Sequence, residues 1–352
     1  TPGANEREGE WSPNGKQIAY ISDRTGETEI WLQSIEGGDP IQLTQNNDTY
    51  IRQLMWSPDS KKILYTDRKN RIVEVDIASK AKRTVMQNPE GEFYEVNYSP
   101  DSQWITYTKS GANNMSVYPV TEKWYSSSSP VFSTDGKYLI FSSERDFNPI
   151  YSQTEWNHAY NRMGGVYMAM LANDTPSPLL PSDEMVSIEQ QTTDAANKKP
   201  EATNNTVKID PEGLPGRLIK LPLQAGNYDN FYSDGKKVWY ASGRSTKVYD
   251  LAKQKEEIVA EGAYMDVAAN HKKALFFKGN NLYICDFPCT KASLEENVNL
   301  DDMIAPIDYS QEWAQIFDET WRAFRDGFYL ENMHGADWND ALDMAWEKGE
   351  SV

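Results

Sequence analysis

Three histidines, two cysteines and 53 carboxylates are the residues of this chain whose chemistry could serve catalysis or metal binding. A serine nucleophile needs a histidine within hydrogen-bond reach to take its proton. His334 lies in "NMHG", which reads as a turn whose histidine bonds a helix end. His271 replaces a turn residue of a repeated motif and is expected at the surface. His158, in "TEWNHAYNRMGG", belongs to a loop and is the histidine expected to line one end of a channel. No G-x-S-x-G nucleophile elbow is present, and "SSSSP" at Ser126 to Pro130 reads as a turn or strand entry. Cys285 and Cys289 form a C-x3-C pair with no second pair or nearby histidine, a poor zinc signal. They read as ordinary thiols, with a local disulfide as the alternative in an oxidising compartment. Acidic pairs such as Asp301-Asp302 fall in loops, without the spacing of glycosidase carboxylates. Neither a metal nor a cofactor is expected.

The charges that could contact a ligand sit in two similar segments, "SDRTGE" and "SERDFN", each just after an apolar-alternating stretch. Arg24, Glu144, Arg145 and Asp146 from these segments, together with Arg68 after "WSPDSKKILYTD", are the candidates for a polar rim around a substrate channel, with plain solvation as the competing reading.

The elements that must carry these loops repeat along the chain. "WSPNGKQIAYIS" from Trp11 recurs as "WSPDSKKILYTD" from Trp56, "YSPDSQWITYTK" from Tyr98 and "FSTDGKYLIFSS" from Phe132. A shortened copy, "YSDGKKVWYAS", starts at Tyr232, and a worn one, "VAANHKKALFFKG", at Val267. The first three starts are 45 and 42 residues apart, the period of a four-stranded propeller blade. In each copy an aromatic ends a strand. Pro, Asp and Gly or Asn then make a tight turn, and alternation resumes, as at Ile63 and Tyr65 or Leu139 and Phe141. Third strands follow in "TEIWLQSI", "RIVEVDIA", "MSVYPV", "TKVYDLA" and "NLYICD", and fourth strands in "DPIQLT", "KRTVMQ" and "KEEIVAE". One such sheet cannot bury both its faces, whereas radial stacking of several can. The fold class expected is therefore all-β: a six- to seven-bladed propeller over residues 1–307 with a short C-terminal helical stub. Residues 173–206, rich in Pro, Ser, Asn and charge, read as an exposed insertion, after which "GRLIKLPL" returns as a strand.

From residue 308 the period changes. Trp313, Ile316, Phe317, Trp321, Phe324 and Phe328 follow 3–4 spacing, the apolar face of an amphipathic helix capped by Asp308 or Ser310. Asp337 caps a second helix carrying Trp338, Leu342 and Trp346. Residues 308–352 thus read as the start of a helical domain. The chain opens without Met and stops at "EKGESV", so both ends are expected to be cuts in a longer protein.

The composition limits partners. With 35 basic against 53 acidic residues the net charge is −18, so no basic footprint for nucleic acid exists. No apolar run approaches a membrane span and no signal peptide is visible.

"EWAQIFDETWRAFRDGFY" followed by "NMHGADW" resembles the helical segment that follows the propellers of tricorn-type proteases. "TPGANEREGEWSPNGKQIAYISD", "SERDFNPIY" and "VKIDPEGLPGRLIKLPL" are similar to that family's second propeller, so the resemblance covers nearly the whole chain. It implies a fragment of a large serine peptidase that degrades oligopeptides. Two propellers, a split catalytic region and a PDZ domain would make up the parent, with full-length chains able to form homo-oligomers. The propeller would gate or guide peptides. The catalytic serine and histidine have no matching position here, and no catalytic residue is carried over. A cytoplasmic location follows from the resemblance, or a periplasmic one if a signal peptide precedes Thr1. The alternative is a Tol-like propeller that binds a protein or peptide as a scaffold. A prolyl-oligopeptidase propeller would instead be joined to an α/β domain with a G-x-S-x-G, which the helical, aromatic tail disfavours.

Overall fold

The computed structural model describes residues 4–89, 91–110, 118–122, 124–146, 150–151, 158–159, 162–179, 206–304, 306–330, 332–338 and 340, those of 150–151 and 158–159 as backbone. The chain divides into two compact units, one of residues 1–89 and 300–352, the other of residues 90–299.

In the first unit, β1 (Glu6–Trp11), β2 (Gln17–Ser22), β3 (Glu29–Ser34) and β4 (Ile41–Gln42) form an antiparallel meander, each strand paired to the next. β5 (Ile51–Trp56), β6 (Lys62–Asp67), β7 (Arg71–Asp76) and β8 (Lys82–Gln87) repeat it. In the second unit, β9 (Phe93–Tyr98) and β10 (Ile105–Lys109) make a two-stranded sheet. β11 (Ser127–Phe132) and β12 (Tyr138–Ser143) begin the next meander, and the short β13 (Ile150–Tyr151) and β14 (His158–Ala159) pair with each other. β15 (Gly165–Met170) and β16 (Leu218–Lys220) complete the sheet started by β11 and β12. β17 (Asp229–Ser233), β18 (Lys237–Ser242), β19 (Ser245–Asp250) and β20 (Lys255–Ala260) form another four-stranded meander. β21 (Tyr264–Val267), β22 (Lys273–Lys278) and β23 (Asn281–Asp286) form a three-stranded one.

Five sheets of three or four strands are thus present among the described residues, fewer than the six or seven expected. The third motif copy supplies the two-stranded sheet. The strand expected in "MSVYPV" is not found at 118–120, and 111–117 lie outside the described residues. Of the expected insertion, 180–205 also lie outside them. "GRLIKLPL" does return as β16, pairing Leu218 with Ala169 and Lys220 with Tyr167.

One hydrogen-bond device builds every well-kept copy of the motif. The motif serine is buried in the first four copies and in the shortened one. Ser57 Oγ donates to Asp59 Oδ1 (2.7 Å) and accepts from Lys62 N (2.9 Å). Ser99 does the same with Asp101 (2.5 Å) and Trp104 N (2.9 Å). Ser133 does so with Asp135 (2.6 Å) and Tyr138 N (3.0 Å). Asn14 replaces the aspartate for Ser12, at 2.9 Å. A short hydroxyl thus replaces the backbone partners that a four-residue turn leaves unmade. Left-handed φ follows at Gly15, Ser60, Ser102, Gly136 and Gly235. In the worn copy His271 takes that position (φ 56°) and is exposed, with Asn270 Oδ1 accepting from Lys272 N.

First strands share a second device. β1, β9, β11 and β17 each carry a bulge in which one residue has left-handed φ: Glu8, Glu95, Ser129 and Asn230. A bulge bends and over-twists its strand. The bend brings first strands of successive sheets together. Trp56 Nε1 donates to Glu10 O (3.1 Å), Asn97 Nδ2 to Pro130 O (3.0 Å), and Thr134 N to Ser233 O (2.9 Å).

The apolar alternation fills the space between the sheets. Ile21, Ile30 and Leu32 pack with Ile51, Leu54, Ile63 and Val73 in the first unit. Val238, Tyr240 and Tyr249 pack with Ile140, Val166 and Met168 in the second. Each such aliphatic side chain contributes roughly 1.5–3 kcal/mol on burial.

α1 (Tyr309–Gly327) belongs to the first unit. Asp308 is its N-cap, accepting from Ser310 N at 3.0 Å and Gln311 N at 3.4 Å. Of the second expected helix only residues 338 and 340 are described, with Asp337 Oδ1 accepting from Asp340 N (3.2 Å) as a cap would.

Candidate functional site

The residues singled out for a rim lie where second strands end, and in the first unit these loops hold α1. After β2 the chain turns through Asp23–Gly26, closed by Gly26 N donating to Asp23 O (2.8 Å) with Gly26 at φ 98°. Arg24 folds back from this turn. Its Nε donates to Ser22 Oγ (3.1 Å) and its Nη2 to Tyr20 Oη (2.9 Å) and to Glu6. Its guanidinium lies 4.5 Å from the Trp31 ring centroid. Arg68, after β6, stacks 4.9 Å over Tyr50 and donates to the Ala323 carbonyl of α1 at 3.4 Å.

Four residues absent from the sequence-based list complete this contact. Arg322 pairs with Asp23, whose other oxygen accepts Asn5 N at 2.8 Å. Arg325 grips both carboxylate oxygens of Glu27, at 2.7 and 2.9 Å, and its Nε donates to Asp326 at 2.7 Å. Those carboxylates raise the pKa of Arg325 further above its ordinary value. The fork geometry is the one in which arginine recognises carboxylates most strongly. The acidic loop and the i, i+3 arginines were visible in sequence, but about 300 residues separate the partners and no local pattern joins them.

In the second unit Arg145 and Asp146 stand together after β12. Arg145 Nε donates to Ser143 Oγ (3.0 Å), and its guanidinium lies between the rings of Tyr125 (5.3 Å) and Tyr167 (5.1 Å). Its Nη2 is buried with no hydrogen-bond partner. Burial pushes the Tyr167 hydroxyl pKa up. Asp146 accepts from Lys220 Nζ at 2.5 and 2.6 Å, tying this loop to β16. Glu144 is exposed. His158 is described as backbone only, opposite Tyr151 in the β13–β14 pair, and its side chain lies outside the described residues.

The remaining chemical groups are quiet. His334, in a 3-10 turn at φ 56°, is hydrogen-bonded to Tyr329 Oη. His271, exposed at its turn, packs one side of its ring 5.7 Å from the Tyr232 ring, and the partial desolvation there lowers its pKa. Cys285 and Cys289 are free thiols. Burial, with a smaller push from Cys285, raises Cys289 to about 11, far from a thiolate nucleophile at neutral pH. Among the described residues no cluster of three His, Cys, Asp or Glu could hold a metal ion.

Repeated antiparallel meanders built on one serine–carboxylate turn, followed by an aromatic helix, define a β-propeller protein with a C-terminal helical segment. The comparisons with known proteins then give the family. The description "Tricorn protease second beta propeller domain" matches residues 1–288, and "Tricorn protease C1 domain" matches residues 309–344. The chain belongs to the tricorn protease family. It is 25% identical over 365 residues to Tricorn protease homolog 1 of Streptomyces coelicolor, covering 89% of this chain and 34% of that protein. It is 22% identical to a Putative Tricorn-like protease C-terminal subunit of Sulfurisphaera tokodaii, covering 93% of this chain and 42% of that one. A crystal structure of the tricorn protease superposes with a TM-score of 0.77 at 16% identity, over 95% of this chain and 34% of that chain. The chain is mainly β in a propeller arrangement, with one complete α-helix among its described residues, and its matches span 34% and 42% of the length of these two relatives. Among the described residues no helix is long and apolar enough to cross a membrane.

Proposed function

We propose that this chain is the substrate-guiding part of a tricorn-like serine peptidase that degrades oligopeptides. The observation that carries this reading is the succession of the second-propeller match over 1–288 and the C1 match over 309–344. In this reading residues 1–307 are the propeller and 308–352 begin the helical domain that leads to the catalytic region. The serine and histidine of catalysis, and the PDZ domain, are supplied by the whole protein outside these 352 residues.

The propeller's part would be admission: unfolded peptides pass along its axis and folded chains are excluded by width. Arg24, Arg68, Arg145, Asp146 and His158 are the proposed contacts for a passing peptide. The common position of Arg24, Arg68, Arg145 and Asp146 at second-strand ends supports this. Neither His271 nor His334 has a serine hydroxyl partner among the described residues. We assign the whole protein to the cytoplasm and a homo-oligomer.

The test compares this chain with the full-length polypeptide on a mixture of unstructured peptides, with a serine-reactive covalent probe as second readout. Cleavage and labelling by the full-length protein alone are expected. Cleavage by the 352-residue chain itself would overturn the assignment. Inactivity of both forms, with peptide still bound, would favour a binding scaffold.

A further inference from the structure

α1 meets the protein with the wrong face for a helix held by apolar packing. Successive helical residues advance by about 100°, so the side turned toward the sheets can be read from exposure. The half-buried arc runs from Phe317 and Trp321 through Arg325, Asp318 and Arg322 to Asp326 and Glu319. Its centre is charged. The opposite arc is apolar and faces outward, with Trp313 69%, Ile316 52% and Phe324 62% exposed. The sequence pattern placed these three aromatics and aliphatics on the buried side. The structure instead turns the half-buried arginines to that side.

What holds the helix is a set of charged contacts. Arg322 and Asp23 are 14% and 6% exposed, and they pair directly. Arg325 is bidentate to Glu27, and its guanidinium also lies 5.1 Å from the Trp321 ring, fixing its direction. Arg68 closes the contact on the last turn, at the Ala323 carbonyl. Trp321 and Trp338 exchange indole N–H bonds to each other's carbonyls at 2.9 and 3.2 Å, which ties Trp338 to the helix.

We propose that Arg322 and Arg325 are positioning residues: through Asp23 and Glu27 they set the helical segment on the first sheet by an ionic, releasable joint. This goes beyond the functional reading above, and only its activity arm rests on that reading. A joint of this kind fixes orientation because a bidentate guanidinium–carboxylate pair tolerates little rotation. It is released by salt or by a competing charge, whereas an apolar interface is not.

The test reads the helix directly by amide hydrogen exchange in the 352-residue chain. Glu27→Arg and Arg325→Glu place like charges opposite one another, and each is expected to speed exchange in residues 309–327 by about tenfold or more. Exchange in β2 and β3 should not change. The double variant, with the charges swapped, should regain most of the lost protection. Raising salt to about 0.5 M should speed helix exchange in the unaltered chain, because a Debye length of a few ångströms screens the partly exposed pair. Arg325→Gln, which removes the charge without reversing it, should give a smaller effect of the same sign. Unchanged helix protection in the single variants, or a swap no better protected than either single, would overturn the proposal.

In the full-length protein a single reversal should lower kcat/KM on unstructured peptides by about tenfold, with recovery in the swap. Labelling by the serine-reactive probe should persist. If the unaltered full-length protein neither cleaves nor labels, the peptidase reading falls, and exchange in the shorter chain still decides the joint.

Discussion

The repeated serine of the blade turn is expected to be one of the most costly small side chains to remove, and Ser133→Ala tests this. Ser133 is completely buried. Its hydroxyl donates to Asp135 Oδ1 at 2.6 Å and accepts from Tyr138 N at 3.0 Å. Alanine keeps the volume apart from one oxygen, so no cavity term of note arises. The first loss is a hydrogen bond to a charged acceptor, worth about 1.5–3 kcal/mol. The second is the acceptor for a buried amide, and leaving such a group unmet costs about 1–3 kcal/mol. Asp135 is half exposed and recovers part of the first term by hydration. A net loss of about 3 kcal/mol follows. Asp135→Ala removes the first contact and the exposed bond from Lys137 N (3.2 Å) but leaves the Tyr138 amide satisfied, and should cost about 1 kcal/mol. Urea unfolding followed by tryptophan fluorescence and circular dichroism measures both. If Ser133→Ala falls within about 0.5 kcal/mol of the parent, or if Asp135→Ala costs more, the argument that the hydroxyl organises the turn is wrong.

Two further outcomes follow from the charges and thiols. Asp48 accepts from Lys69 Nζ (2.8 Å) and Arg71 Nη2 (2.6 Å), and the Lys69 bond leads in holding its pKa down at about 2. A depressed carboxylate stabilises the fold above its unfolded pKa of about 3.9, and that contribution is lost as pH falls toward 2. NMR titration should place Asp48 near the low value, and Lys69→Met should move it back up; an ordinary titration near 4 would refute the pairing. Cys289, with its pKa at about 11, should react with iodoacetamide at pH 8 roughly a hundredfold more slowly than a free thiol, and at the ordinary rate once the chain is unfolded. Fast labelling of the folded protein would contradict its burial.

Most strands were legible because their signals are local. A turn of Ser, Pro, Asp and Gly between period-two stretches needs only about a dozen residues to declare itself, and "RIVEVDIA", "TKVYDLA" and "KEEIVAE" all became strands where the alternation put them. The "MSVYPV" segment shows no strand at 118–120, and among the described residues its motif copy supplies a two-stranded sheet. The bulges at Glu8, Glu95, Ser129 and Asn230 were not read. All four fall on Glu, Ser or Asn rather than Gly, so no glycine marked the left-handed turn of the chain. At the candidate site, Arg24 and Arg68 were singled out by position, but what they touch was not foreseen.

Sequence by itself determined the repeat, the turn chemistry, the helix and a cap at Asp308 or Ser310, because each depends on residues within a few positions of one another. Only the tertiary structure decided which side of that helix is covered. Periodicity shows that Trp313, Ile316 and Phe324 share a face with Phe317 and Trp321, but not what faces them. The deciding contacts join Arg322 to Asp23 and Arg325 to Glu27, across nearly the whole length of the chain. Charge pairing at that separation is a property of the folded surface, where two loops and one helix happen to converge, and it leaves no period to read.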